Sequence, residues 1–257
     1  GLESQLLLAT GRSILQLLIL GYILEFIFDV NNPWAVIGIL SIMLTIAAIV
    51  ACNRINLPKS KANSRPLDPP IMGVGNGADS LKIRVLKREN WSLIMVWLSI
   101  FVSSALTLGY TMIFIIQPTN WYEPQYLIPL TGMILGNAMN GAALAGERLV
   151  SKISSSRLEI ETHLSLGATP QQAIALYRQE AIRAALIPTL NSMMVVGLVS
   201  LPGMFTGQVL AGSLPLDAIS YQILILFMIA LTNLITTILV TEGVYRRFFN
   251  QDLQLIN

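Results

Sequence analysis

Long apolar runs alternate with polar segments along this chain. Six of these runs approach the roughly 20 residues that an α-helix needs to cross a bilayer. They cover residues 6–28, 34–52, 91–116, 126–146, 185–202 and 218–241. Because a membrane-spanning segment must satisfy its own backbone hydrogen bonds, the pattern predicts an all-α polytopic membrane helical bundle. We expect six transmembrane helices that form a single transmembrane domain over residues 1–257.

The basic residues are concentrated in alternate loops. Eight Lys and Arg residues lie in the loop 53–90, five lie in the region 147–183, and Arg246 and Arg247 follow the last run. The other loops contain no Lys or Arg, and these loops are residues 29–33, 117–125 and 203–217. Since Lys and Arg accumulate on the cytosolic side, both chain ends and both long basic loops are expected in the cytosol.

The composition indicates a membrane protein and excludes several other classes of protein. Of the 257 residues, 54% are hydrophobic and 12% are charged, whereas soluble domains carry about 25% charged residues. The mean hydropathy is +0.65. A single cysteine, Cys52, excludes an internal disulfide, and a single histidine, His163, excludes a histidine cluster. The net charge of +2 is too small to indicate a nucleic-acid partner.

Residues 57–90 are predicted to be a flexible cytosolic linker, because the first part of this segment is rich in Pro, Gly, Ser and Asn. The run Gly73-Val-Gly75-Asn-Gly77 lacks the Gly-Lys-Ser/Thr ending of a phosphate-binding loop. No other segment offers a phosphate cradle. We therefore expect no cofactor in this chain, and any ATP with its Mg²⁺ would be bound by a partner subunit.

A helix-break-helix lies between the fourth and fifth predicted spans, within a cytosolic region over residues 147–185. Gly167 suits the left-handed residue that ends a helix, Thr169 suits an N-cap, and Pro170 suits the first helical position. Gln172 completes a capping box with Thr169. We call residues 161–170 the elbow. A rigid elbow suits the transfer of force from a partner protein, while an ordinary amphipathic connector on the membrane surface is the alternative. The candidate coupling residues are Glu161, His163, Leu166, Gly167, Ala168, Thr169 and Pro170.

Polar residues inside the predicted spans are candidates for a substrate path, because such groups are costly in lipid. Asn137 and Asn140 lie among small residues, where amides either bind neighbouring helices together or line a path. Methionines supply either ligands for a soft cation or adaptable packing. The Gly- and Pro-rich run 197–208 ends a span and forms either a pore mouth or a plain turn. The candidate path residues are Asn137, Met139, Asn140, Asn191, Met194, Ser200 and Gln208. The sequence contains no strong metal site, so the metal ligands are unknown.

Several motifs together resemble the ABC-transporter permeases of bacterial iron export, whose family includes plant aluminium-tolerance permeases. The motifs are the runs 164–173, 182–188, 197–204, 132–139 and 215–223, and the resemblance covers residues 1–52 and 91–250. It implies a permease subunit of the bacterial inner membrane that exports an iron-like metal ion and catalyses no reaction itself. It also implies an ATPase partner, a second copy of this chain, and one further span before Gly1.

The spacing of Glu161 and Gly167 is similar to that in the cytoplasmic coupling loop of ABC importers, and this similarity implies that the elbow seats in a groove of the ATPase. The alternative from another class is an ATP-independent channel or secondary carrier for a cation or small polar solute. Against that class, the spans show no mid-membrane proton-relay carboxylates and no clear inverted repeat. A membrane scaffold without cargo would leave the in-span asparagines without a role.

Overall fold

The structure is a computed structural model that describes residues 2–30, 32–55, 77–118, 120 and 122–249. These residues form an all-α bundle, as the sequence predicts. The helices are α1 (Leu2–Val30), α2 (Pro33–Arg54), α3 (Gly77–Tyr110, continued by π-helical turns over Thr111–Ile116), α4 (Pro124–Ser155), α5 (Arg157–Ser165), α6 (Pro170–Val195), α7 (Gly203–Leu210) and α8 (Pro215–Phe248).

Five of the described helices are long and apolar enough to cross a membrane, and they contain the predicted first, second, third, fourth and sixth spans. The predicted fifth span, residues 185–202, is shorter in the structure. Helix α6 carries it only to Val195, after which the chain turns at Gly197 with a φ of +80°. Since Pro202 immediately precedes α7, the glycine and the proline divide an apolar run that hydropathy alone treats as continuous.

Helices α4 and α8 form the centre of the bundle. Helix α4 packs against α2, α6 and α8, and α3 packs against α8 and also contacts α4. Small residues make the contacts close: Ala138, Ala142 and Ala145 are completely buried on α4. At Gly146, an added Cβ would lie 2.6 Å from Cδ1 of Ile55. Small side chains of this kind let membrane helices approach until their backbones are nearly in contact.

Hydroxyl groups supply the polar contacts between α3 and α8. The Oγ of Ser103 and the Oγ1 of Thr236 lie 2.5 Å apart, and both residues are completely buried. Thr107 on α3 is also buried and donates to the carbonyl of Ser103 at 2.9 Å. The hydroxyls of Ser103, Thr107 and Thr236 therefore each find a partner within the bundle, as helices without surrounding water require.

The predicted linker is shorter than the sequence indicated. Helix α3 begins at Gly77, so residues 77–90 are helical and not part of a flexible segment. The physical reason is visible in the sequence, since this stretch is rich in Leu, Lys and Arg, which are good helix formers, and has no proline. The remainder of the predicted linker, residues 57–76, lies outside the described residues. The glycine-rich run 73–77 also lies outside them, except for Gly77.

Candidate functional site

The elbow closes helix α5 with a left-handed glycine. Gly167 has a φ of +90°. Its N–H donates to the carbonyl of Leu164 at 3.0 Å, and the N–H of Ala168 donates to the carbonyl of His163 at 3.0 Å. This pair of bonds is the Schellman arrangement, which satisfies carbonyls at a helix end. The predicted conformation of Gly167 is therefore confirmed.

The other side of the elbow is fixed by a capping box. Thr169 Oγ1 accepts a hydrogen bond from the N–H of Gln172 at 3.3 Å, and Gln172 Oε1 accepts one from the N–H of Thr169 at 2.9 Å. Pro170 occupies the first turn of α6 and is buried. The predicted cap is confirmed at each of these three residues, and the two helices meet without a flexible segment between them.

The substitution Thr169→Ala is expected to loosen the elbow without unfolding the bundle. Loss of the N-cap costs about 1 kcal/mol, which corresponds to about a fivefold change in a local opening equilibrium. Hydrogen–deuterium exchange of the amides near Gln172 should accelerate to that degree. Thr162→Ala is the control, because the Thr162 hydroxyl bonds only to the Leu158 carbonyl of its own helix, at 2.8 Å. Equal exchange in the two variants would contradict the prediction.

Helix α5 is anchored to the rest of the bundle by one apolar and one aromatic residue. Ile160 is completely buried, and Tyr177 of α6 is 7% exposed. Burial raises the pKa of the Tyr177 hydroxyl, a hydrogen bond to the Glu159 carboxylate raises it further, and a hydrogen bond with Ser156 opposes both. Tyr177 thus remains protonated and connects α5 to α6.

Ion pairs support the helices on both sides of the elbow. Arg157 and Glu161 form a pair one helical turn apart on α5, at 2.8 Å. Lys152 of α4 reaches Glu180 of α6 at 3.0 Å. The second pair links the two helices that lead into and out of the elbow. Glu161, one of the candidate coupling residues, is therefore oriented by its own helix and is partly exposed.

The outer surface of the elbow exposes leucine side chains beside polar residues. Leu158 is 79% exposed and Leu166 is 80% exposed. His163, Gly167 and Thr169 are also exposed, whereas Ala168 is half-buried. An added Cβ at Gly167 would meet nothing within 4 Å. Each of the sequence-predicted coupling residues is therefore at least partly accessible, except for the buried Pro170.

A cavity of about 470 Å³ lies between α4, α6 and α8. The turn that follows α6 and the start of α7 form one wall of it. Its lining is mixed: apolar side chains such as Leu144 and Ile225 alternate with amides, hydroxyls and two thioethers. The polar and sulfur-containing lining residues are Met133, Asn137, Asn140, Thr189, Ser192, Ser200, Met204, Gln222 and Asn233.

Two amide side chains in the cavity wall have unsatisfied oxygens. The Nδ2 of Asn233 donates to Thr189 Oγ1 at 2.8 Å, which links α8 to α6. The Oδ1 of Asn233 and the Oε1 of Gln222 are buried and have no hydrogen-bond partner among the described residues. Asn233 fits because position 141 is a glycine: an added Cβ there would overlap the Asn233 amide. Buried oxygens of this kind ordinarily acquire a donor from water or a ligand.

The structure divides the predicted path residues into two groups. Asn137, Asn140 and Ser200 line the cavity. Asn137 donates to the Met133 carbonyl at 2.8 Å, and Asn140 accepts from Arg54 Nη1 at 3.0 Å. The other four predicted residues are absent from the cavity lining: Met139 packs against the main core, Asn191 and Met194 are exposed on α6, and Gln208 lies on α7.

Sequence reasoning missed several residues of the cavity wall, namely Thr189, Ser192, Gln222 and Asn233. The signal for two of them was present. Gln222 and Asn233 are amides inside the last predicted span, and the argument that selected Asn137 applies to them equally. The described residues contain no group of three or more His, Cys, Asp or Glu side chains placed to hold a metal ion.

The bundle and its five apolar helices define an integral membrane protein. The chain belongs to UPF0014, an uncharacterised protein family, whose family model matches residues 1–66 and 71–249. This membership confirms the resemblance to the family of bacterial iron-export and plant aluminium-tolerance permeases.

Relatives match almost the whole chain. A UPF0014 membrane protein of Synechocystis is 58% identical over 99% of this chain and 87% of its own length. The probable iron export permease protein FetB of Escherichia coli is 34% identical over 99% of this chain and 85% of its own length. Protein ALUMINUM SENSITIVE 3 of Arabidopsis thaliana is 30% identical, with 99% and 81% covered. No solved structure matches the chain.

Proposed function

We propose that this chain is the membrane-spanning permease subunit of an ABC transporter, which exports an iron-like metal ion with energy from a separate ATPase subunit. The observation that carries the proposal is the connection between the elbow and the cavity. Helices α4 and α6 both line the cavity, and they are joined at their other ends by α5 and the elbow. The name of the Escherichia coli relative, a probable iron export permease, supports the direction and the cargo.

The elbow is suited to receive force because it is rigid and presents an apolar side chain. Leu166 is 80% exposed at the break between α5 and α6. We place this exposed leucine at a protein interface, because it lies beside the break that joins the two helices. In our proposal Leu166 enters a groove of the ATPase subunit, and the rim of that contact is formed by Glu161, His163 and Thr169.

Movement of the elbow would be transmitted along two helices. Lys152 and Glu180 connect α4 with α6, and Tyr177 connects α6 with α5. Pro188 interrupts the hydrogen-bond ladder of α6 where this helix lines the cavity, and an interior proline is a common site of helix bending. ATP binding in the partner would displace the elbow, and α6 would bend at Pro188. The cavity would thereby alternate between two packed arrangements.

Two copies of the chain and two ATPase subunits form the proposed assembly, and the membrane is the bacterial inner membrane. Both chain ends are placed in the cytosol. The support is the distribution of charge. The segments on both sides of the elbow carry Lys152, Arg157, Arg178 and Arg183, and Lys and Arg accumulate on the cytosolic side of a membrane.

The first test is co-purification of an ATPase subunit with the tagged chain from its own membranes in mild detergent. ATPase activity in the eluate is expected, and the substitution Leu166→Glu should abolish both the partner and the activity. Leu214→Glu is the matched control, because Leu214 is 70% exposed and lies in the loop before α8. Retention of the partner by Leu166→Glu would exclude this docking surface. A partner-free chain that moves ions in liposomes would instead support an ATP-independent channel or carrier.

A further inference from the structure

We propose that the cavity between α4, α6 and α8 binds the cargo as a solute of low net charge that donates hydrogen bonds, and not as a bare metal ion. In this view a transported metal enters with its own ligands in place. These ligands contact the amides and hydroxyls of the cavity wall through their O–H or N–H groups. The inference rests on the proposed transport function and names the form of the cargo.

The first argument is the chemistry of the wall. Among the twenty lining residues there is no Asp, Glu, Lys, Arg, His or Cys. The available polar atoms belong to amides and hydroxyls, all of them neutral. Iron and other transition metals are held in proteins by imidazole, thiolate or carboxylate groups. The thioethers of Met133 and Met204 are soft ligands, which do not replace these groups for a hard or intermediate ion.

The second argument is electrostatic. A multivalent ion that left water for this wall would lose its hydration and gain no opposite charge. A metal complex whose ligands neutralise the metal avoids that loss, because its charge is already compensated. The volume of about 470 Å³ accommodates a metal ion surrounded by several small ligands.

The third argument is the pair of unsatisfied oxygens. Gln222 is 8% exposed and Asn233 is 3% exposed, and the amide oxygen of each lacks a hydrogen bond among the described residues. Both residues line the cavity. The terminal amide torsion has a broad energy profile, so these side chains can adjust when a ligand is present. A donor-bearing solute would then satisfy both oxygens, whereas a solute without donors would leave them unpaired.

The test uses the full chain, purified in detergent without an ATPase, and a complex that cannot exchange its ligands. Tris(glycinato)cobalt(III) is neutral and inert, and it presents N–H donors. Equilibrium dialysis monitored by cobalt absorbance is expected to show binding. Gln222→Leu and Asn233→Leu should each weaken it about tenfold, as the loss of one hydrogen bond in a closed site does.

Thr232→Val is the matched control, because Thr232 is completely buried on α8, its hydroxyl also lacks a partner among the described residues, and it does not line the cavity. Its affinity for the cobalt complex should equal that of the unchanged chain. Thermal unfolding of all variants identifies any loss of affinity that arises from misfolding. If only one of the two leucine variants folds, that variant still decides the question.

Two further probes separate the alternatives. Bare Mn²⁺ is not expected to bind in the cavity, and any Mn²⁺ bound elsewhere on the chain should be insensitive to Gln222→Leu and Asn233→Leu. Metal-free glycinamide distinguishes the source of the donors: strong competition with the cobalt complex would support the hydrogen-bonding site and identify a metal-free cargo. Failure of the cobalt complex to bind, or Mn²⁺ binding that requires both amides, would overturn the inference. Neither result depends on an ATPase partner, so the proposed transporter class is tested separately by co-purification.

Discussion

Replacing Gly167 with valine is expected to uncouple ATP hydrolysis from transport while the chain still inserts and folds. The φ of +90° at Gly167 is unfavourable for a β-branched residue. A left-handed conformation costs an ordinary L-residue about 1–2 kcal/mol, so the valine variant would leave the Schellman turn in a large share of molecules. Transport by the reconstituted complex should fall about 5- to 30-fold. The ATPase activity of the co-purified partner should fall less.

The matched control is Gly167→Asn. Asparagine tolerates the left-handed region better than other residues, and the space beside Gly167 is open. Asparagine at this position should therefore retain most of the coupling. If the valine variant transported as well as the asparagine variant, the rigid elbow would not be the route of force into the membrane.

The elbow was predictable because its determinants are adjacent in the sequence. A glycine, a threonine, a proline and a glutamine within six residues specify the C-cap, the N-cap and the capping box. None of these features depends on contacts with distant parts of the chain. The structure confirms each one. What the sequence did not supply is the anchoring of α5, which requires Ile160 and Tyr177 from different helices.

The cavity was only partly predictable, because its wall depends on the rotation of α6 about its own axis. Pro188, Thr189, Ser192 and Val196 line the cavity at helical spacings of three and four residues. Asn191 falls outside this face, which is why an in-span asparagine turned out to be exposed. The end of α6 is apolar on most sides, so its sequence gives no polar face from which the rotation can be inferred.

The number of membrane-spanning helices was also only partly predictable from hydropathy. An average over a window detects apolar content, but it does not detect the change of direction at Gly197 and Pro202. Helix α6 begins with polar sequence at Pro170 and continues without a break into apolar sequence. The helix that follows the elbow is therefore also the helix that lines the cavity. Helices α4 and α8 form the rest of the cavity wall and contact each other. A single substitution at that contact should therefore also have a large effect.

Replacing Gly141 with valine is expected to abolish transport and to destabilise the bundle. An added Cβ at Gly141 would lie 2.8 Å from Cγ of Asn233 and still closer to its amide oxygen. Asn233 would have to move, and its hydrogen bond to Thr189 would break. Overpacking of this kind costs about 1–3 kcal/mol. We expect a lower midpoint of thermal unfolding for the purified chain, together with a loss of transport of more than about tenfold.

The control for this change is Gly136→Val on the same helix. Gly136 also lies in α4, and an added Cβ there would meet nothing within 4 Å. Both variants carry the same intrinsic cost of valine relative to glycine in a helix, so their difference isolates the contact with Asn233. If the two variants unfolded at the same temperature, the approach of Asn233 to α4 would contribute nothing to stability. A double variant that also carries Asn233→Ala should recover stability, because the shorter side chain leaves room for the valine, but it should not recover transport if the amide contacts the cargo.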